Sequence, residues 1–156
     1  MELSNLKLLS WNINSLHKRA TDIHAHALSH NYDVVTLQEV GINGSGFQLP
    51  GYQSFELPAN LENNTRGLTT FIKNSIPATL CESLTIDGTE ILVLKLYVEC
   101  CFIYIINVYV HNDKLSLDNL PNYIFDQKCL LMGDLNARHR SLENVGNQNK
   151  NGIVRF

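Results

Sequence analysis

The chain has 156 residues, 44% apolar and 17% charged, with a net charge of −3. That balance suits one globular domain with a real core, without tandem repeats, low-complexity tracts or a Pro/Ser-rich linker. No apolar run is long enough to cross a bilayer, and no basic stretch followed by an apolar one opens the chain, so a nuclear or cytoplasmic, non-secreted protein is expected. The acidic balance argues against a domain that grips nucleic acid through a basic surface. It does not exclude a nuclease, because acidic metal ligands add negative charge that a divalent ion offsets locally. The four cysteines (Cys81, Cys100, Cys101 and Cys129) form no CxxC pair, and adjacent Cys100 and Cys101 on a strand would face opposite sides. All four read as reduced, mostly buried thiols.

In chain order, residues 6–13 ("LKLLSWNI") are a short apolar run and read as a strand. Leu16, Ala20, Ile23 and Ala27 then recur at helical spacing, with Ser15 as the expected N-cap. Residues 32–39 ("YDVVTLQE") form a second buried strand, so the opening is a βαβ unit with a right-handed crossover. A Gly-rich loop, "GINGSGFQLPGY", follows. The next section is rich in strands: "YQSFEL", "GLTTFIK", "PATLCESL", "EILVLKLYV" and "CFIYIINVYV". Gly88 and the Glu99 and Cys100 step look like hairpin turns between them. In the fourth run, Leu92, Leu94, Leu96 and Val98 share one face, and Val93, Lys95 and Tyr97 the other. Residues 114–125 suggest a short helix interrupted near Pro121, and "KCLLMGDLN" is the last clear strand. This order predicts an α/β (α+β) fold with two mixed sheets packed face to face and helices outside.

Several of these buried strands end in polar groups. The first ends in Asn12 and the second in Glu39. "IINVYVHN" ends in Asn107, Tyr109, His111 and Asn112, and the last strand in Asp134 and Asn136. Gly133, Asp134 and Asn136 would also serve an ordinary turn. Carboxylates and carboxamides at the ends of several core strands form a constellation that a single turn does not explain. Oxygen donors without a cysteine cluster suit a hard ion such as Mg²⁺ or Mn²⁺ rather than zinc. Carboxamides and a tyrosine hydroxyl can bond phosphate oxygens without adding repulsive charge.

"WNINSL", "LQE", "RGLTTFI", "INVYVHN" and "GDLNARH" occur in the order and rough spacing of the endonuclease/exonuclease/phosphatase family, which the whole chain resembles. "GDLNARHRSLENVGNQNKNG" looks most like the apurinic-type endonuclease domain of arthropod non-LTR retrotransposon polyproteins. The resemblance implies a four-layer α/β/β/α sandwich that cleaves phosphoester bonds with Mg²⁺ or Mn²⁺. It implies DNA, the target-site duplex, as substrate, and a reverse transcriptase domain in the same polyprotein as partner. It also implies roles for individual residues. Asn12 would lie near metal and phosphate, and Glu39 would be a metal ligand. Tyr109 would contact the scissile phosphate. Asp134 would orient or deprotonate the attacking water or assist the leaving group, with Asn136 as its phosphate-binding partner.

The family pattern continues into a Ser-Asp-His motif on a further strand, and no such tripeptide occurs in these residues. The expectation from sequence is therefore a C-terminally truncated domain over 1–156, its second half incomplete, with little or no nuclease activity. Arg138, His139 and Arg140 form a small basic patch after the catalytic loop, and they and His111 are candidates for substrate contact. His26 and His30 stand one helical turn apart but lack a third ligand, so a solvated helix face is preferred to a metal site. Asn107 reads as a supporting rather than a catalytic residue. Three other readings stay open: an abasic-site nuclease, a phosphatase of the same superfamily acting on lipid or inositol phosphates, and a non-catalytic nucleic-acid-binding remnant.

Overall fold

Strand β1 (Leu8–Asn12) leads into helix α1 (Leu16–His30), which returns the chain to β2 (Val34–Gln38), parallel to β1. The computed structural model describes residues 5–99, 101–111, 120–122 and 127–137. The helix turns Leu16, Ile23 and Ala27 inward onto Val35, Leu37 and Phe71, so its apolar stripe covers one face of the first sheet. Ser15 stands at the N-cap position but makes no capping hydrogen bond through its side chain. It lies at φ +86°, and its backbone N–H goes instead to the Glu39 carbonyl at 2.7 Å. The expected side-chain cap is thus replaced by a backbone tie to the end of β2.

The first sheet is completed by β3 (Tyr52–Leu57) and β4 (Leu68–Lys73), in the order β1-β2-β4-β3. The second contains β5 (Ala78–Ile86), β6 (Thr89–Val98), β7 (Cys101–Val110) and β8 (Cys129–Asp134), in sequence order. Antiparallel hairpins link β5, β6 and β7, and β8 pairs parallel to β7. The turn between β5 and β6 is Asp87 and Gly88, at φ +49° and +79°, the pair that a two-residue hairpin needs to match strand twist. Both sheets are mixed, as the element order predicts, and each has four strands. The second helical segment expected around 114–125 lies almost entirely outside the described residues, as does Cys100. Cys81 is an exposed free thiol and Cys101 a half-buried one, so neither is fully buried.

The sheets pack through Val34 and Ile72 on one side and Leu94, Leu96, Val98, Ile103 and Ile105 on the other. The alternation along β6 is realised. Leu94, Leu96 and Val98 face the other sheet, while Ile91 and Val93 belong to a separate cluster with Ile106, Val108, Val110 and Leu120 on the outer face.

One polar joint pins the two sheets together. Asn107 of β7 is fully buried, and its Oδ1 accepts from Gln38 Nε2 at 2.7 Å. Its Nδ2 donates to the Leu37 and Thr69 carbonyls at 3.1 and 3.2 Å and to Thr70 Oγ1 at 3.2 Å. Buried amides without partners are costly, so this joint fixes how the sheets register on one another. Asn107→Leu would take the buried acceptor from one Gln38 N–H, leaving that amide only Ser10 Oγ at 3.3 Å, and would remove a donor from two buried carbonyls. The expected loss is about 3 kcal/mol, read as a lower urea midpoint. An unchanged midpoint would show that the joint contributes nothing.

Candidate active site

The C-terminal ends of β1, β2, β7 and β8 meet at one rim of the sandwich. Asn12 ends β1, and Glu39 follows β2 directly. Glu39 is not a strand residue: it lies at φ +55°, a left-handed conformation that is uncommon outside glycine and often marks a functional constraint. Ser15 N donates to the Glu39 carbonyl, and Leu16 N to the Val40 carbonyl at 2.9 Å. The start of α1 therefore holds the bend that turns the Glu39 side chain toward Asn12.

Asn12 Nδ2 donates to Glu39 Oε1 at 2.7 Å and to Asp134 Oδ2 at 2.8 Å. Asn12 and Asp134 are 122 positions apart in sequence, and one belongs to each sheet. Two carboxylates thus converge on one amide nitrogen. Their mutual repulsion is offset by its two N–H groups.

Asp134 is aimed by a turn. Its Oδ1 accepts the Asn136 backbone N–H at 2.9 Å, and Asn136 stands at φ +46°. This is an Asx-type turn, so the turn reading and the site reading of "GDLN" describe one object. Simple strand alternation does not extend through it, because β8 stops at Asp134. The Asn136 amide turns back and donates to the Val110 carbonyl at 2.7 Å, tying the loop to the end of β7.

Tyr109 is only 7% exposed and donates its hydroxyl to Glu39. Burial, then the neighbouring Glu39 charge, pushes the phenol well above the ordinary tyrosine range. It remains a proton donor at neutral pH. The Arg66 charge acts in the opposite direction, which places a cation near that hydroxyl. His111 meets Tyr109 edge to face, with ring centroids 4.7 Å apart.

The structure therefore brings Asn12, Glu39, Tyr109 and Asp134 together, with Asn136 and His111 bordering them. Arg138, His139, Arg140 and Asn112 lie outside the described residues. His26 and His30 stack ring on ring at 4.4 Å, with Tyr32 against both. Their Nδ1 atoms engage Tyr32 and Ser29, respectively.

Sequence reasoning missed Glu90. It is fully buried and accepts His111 Nε2 at 2.6 Å. The signal was present, because period-two alternation places Glu90 on the same face as Leu92 and Leu94, where a carboxylate is out of place.

The fitness of this rim for a metal rests on its donors. Among the described residues there is no group of three or more His, Cys, Asp or Glu that could hold an ion. Mg²⁺ does not require one, because it commonly takes one or two carboxylates and completes its shell with water and substrate phosphate. Here two carboxylates already share a positively polarised NH2 group, and the carbonyl oxygen of the same Asn12 amide is a hard donor. The residues fit such an ion.

The model of the endonuclease/exonuclease/phosphatase family matches residues 9–153. The chain belongs to this family. Members of the family are hydrolytic nucleases and phosphoesterases, generally dependent on a divalent metal. Solved relatives share its fold. The AP endonuclease LMAP from Leishmania major superposes with a TM-score of 0.67 at 19% identity, covering 98% of this chain and 62% of that one. The endonuclease domain of TRAS1, a telomere-specific non-LTR retrotransposon, gives 0.67 at 15% identity, covering 86% and 62%. The D. rerio TDP2 structure complexed with single strand DNA product gives 0.64 at 17%, covering 88% and 63%. This chain thus spans somewhat under two thirds of the length of each of these family folds. No curated protein sequence matches it. No helix among the described residues is long and apolar enough to cross a membrane.

Proposed function

We propose that the chain is a weakly active, divalent-metal-dependent phosphodiesterase domain that nicks duplex DNA, of the type carried by non-LTR retrotransposons alongside a reverse transcriptase. The observation that carries this reading is the convergence of Glu39 and Asp134, from opposite sheets, on the Asn12 amide. Glu39 and Asn12 would hold Mg²⁺ or Mn²⁺. When bound, the ion would neutralise phosphate charge and stabilise the leaving oxyanion. Tyr109, a protonated donor at neutral pH, would bond a non-bridging oxygen of the scissile phosphate. Asp134, its carboxylate fixed by the turn, would accept the proton of the attacking water. Asn136, with Arg138, His139 and His111 beyond it, would contact phosphates along the strand. The "GDLNARH" loop supports the retrotransposon branch over the others.

The test is a calorimetric Mn²⁺ titration paired with plasmid nicking in Mg²⁺. Wild type is expected to bind one ion at the rim. Glu39→Ala should weaken that binding at least about tenfold and eliminate whatever nicking the wild type shows. Metal affinity or nicking that survives Glu39→Ala would refute the reading.

A further inference from the structure

Glu90 is buried, yet no part of the reaction outlined above requires it. A carboxylate removed from water is expensive unless donors surround it, and here they do. Its Oε1 accepts the Arg66 N–H at 2.7 Å and His111 Nε2 at 2.6 Å, and its Oε2 accepts the Gly67 N–H at 2.7 Å. These contacts reach two separate pieces of the site, the turn at Arg66 and Gly67 and the His111 ring. Arg66 and Gly67 precede β4 and also accept from the segment after Glu39: Gly41 N donates to the Arg66 carbonyl at 2.9 Å and Val40 N to that of Gly67 at 3.2 Å. Gly67 sits at φ +85°, and a Cβ there would lie 2.8 Å from Ala59 N, so this turn has a single shape. His111 is anchored a second time, its backbone N–H donating to the Gly88 carbonyl at 2.8 Å. In the sheet, Glu90 stands directly opposite Tyr109.

We propose that Glu90 is a positioning residue that locks the Arg66 turn and the His111 ring on either side of Tyr109, making them an arm that grips a DNA phosphate beside the one that is cut. The arm rests on the reading of the site as DNA-directed. Its chemistry is on the surface of the protein: Arg66 is exposed, while its backbone is held rigidly by Glu90 from below. A guanidinium on a fixed turn loses little freedom when it binds phosphate. His111 spends Nε2 on Glu90, so Nδ1 is the nitrogen left to face a ligand. An alternative in which Glu90 merely fills a hole in the core is disfavoured by its partners. All three donors belong to segments bordering Tyr109 or Glu39.

The experiment measures binding of a labelled duplex by fluorescence anisotropy, in EDTA so that no strand is cut, across about 50 to 200 mM salt. Arg66→Ala is expected to weaken binding about tenfold and to lower the slope of log affinity against log salt by about one. Arg66→Lys should retain most of that slope, since one positive charge is kept. Glu90→Gln should reproduce the Arg66→Ala loss, and combining the two should cost no more than either alone. Reduced folding alone would lower the bound fraction without moving the slope, because the slope counts ionic contacts only in molecules that bind. Should Glu90→Gln not fold, Arg66→Ala on the exposed turn and His111→Ala, at a side chain 11% exposed, still decide the matter. Wild-type affinity and slope in both would overturn the proposal, even with Glu39-dependent metal binding intact. Wild-type protein that binds neither duplex nor metal would instead refute the functional reading, and this arm with it.

Discussion

Gly133→Ala is expected to be the most destabilising single-methyl change at the rim. Gly133 lies at φ +147°, and an added Cβ would sit 1.9 Å from the Val108 carbonyl oxygen, 2.8 Å from its carbonyl carbon and 2.9 Å from its nitrogen. These are backbone atoms of the paired strand, so no side-chain rotation can relieve the overlap. Gly133 and Val108 are register partners between β8 and β7. The methyl group would therefore force the strands apart one residue before Asp134. Backbone strain at a conformation that L-residues avoid costs about 1–3 kcal/mol, and overpacking about as much again. Together they consume a large part of the 5–15 kcal/mol typical of a domain. For a chain of this size the expected result is a fall in Tm of about 10 °C or more, or no folded protein at all. Thermal unfolding followed by circular dichroism measures it, and a Tm within about 2 °C of wild type would mean that β8 does not lie against β7 in this register.

Gly133 also shows why the rim was only partly legible beforehand. A glycine before Asp134 is equally at home in any turn, and only the neighbouring strand reveals why no other residue fits. The strands, the first helix and the Asp87 and Gly88 hairpin follow local rules of alternation, helical spacing and turn chemistry, and they were readable for that reason. Asn12, Glu39, Tyr109 and Asp134 could be singled out because polar groups ending apolar strands are costly without a purpose. The conformations that aim them could not. Glu39 leaves the strand into a left-handed bend, Ser15 gives its backbone N–H to Glu39 rather than capping the helix through its side chain, and Asn136 turns back to Val110. Each depends on a contact from a distant segment. The joint between Gln38 and Asn107 is likewise a matter of how two sheets meet, which sequence periodicity within one strand does not encode. Glu90 was visible as an anomaly in the pattern, but its three donors come from two other parts of the chain.

Asp134→Asn is expected to separate chemistry from stability. The wild-type carboxylate uses one oxygen for the Asn136 N–H and the other for Asn12 Nδ2. A carboxamide of the same shape has a single acceptor oxygen. One of those two donors must lose its partner, whichever way the new amide is turned. The residue is only partly buried, so water can replace the lost bond, and the stability cost should be about 1 kcal/mol. Relief of the repulsion between Glu39 and Asp134 works in the opposite direction and reduces that cost further. The effect on hydrolysis should be far larger. A carboxamide cannot accept the proton of the attacking water, and loss of a general base typically lowers the rate by about 10²–10⁴-fold. The measurement is cleavage of a labelled duplex with enzyme in excess, alongside a melting curve and an Mn²⁺ titration on the same preparation. The expected pattern is a Tm within about 4 °C of wild type, metal binding retained, and cleavage reduced by at least about two orders of magnitude. Equal cleavage by wild type and variant would remove Asp134 from the chemistry and leave it only the task of shaping the turn. A parallel loss of metal binding would instead make Asp134 a ligand alongside Glu39. The convergence of both carboxylates on Asn12 is what makes that distinction worth measuring.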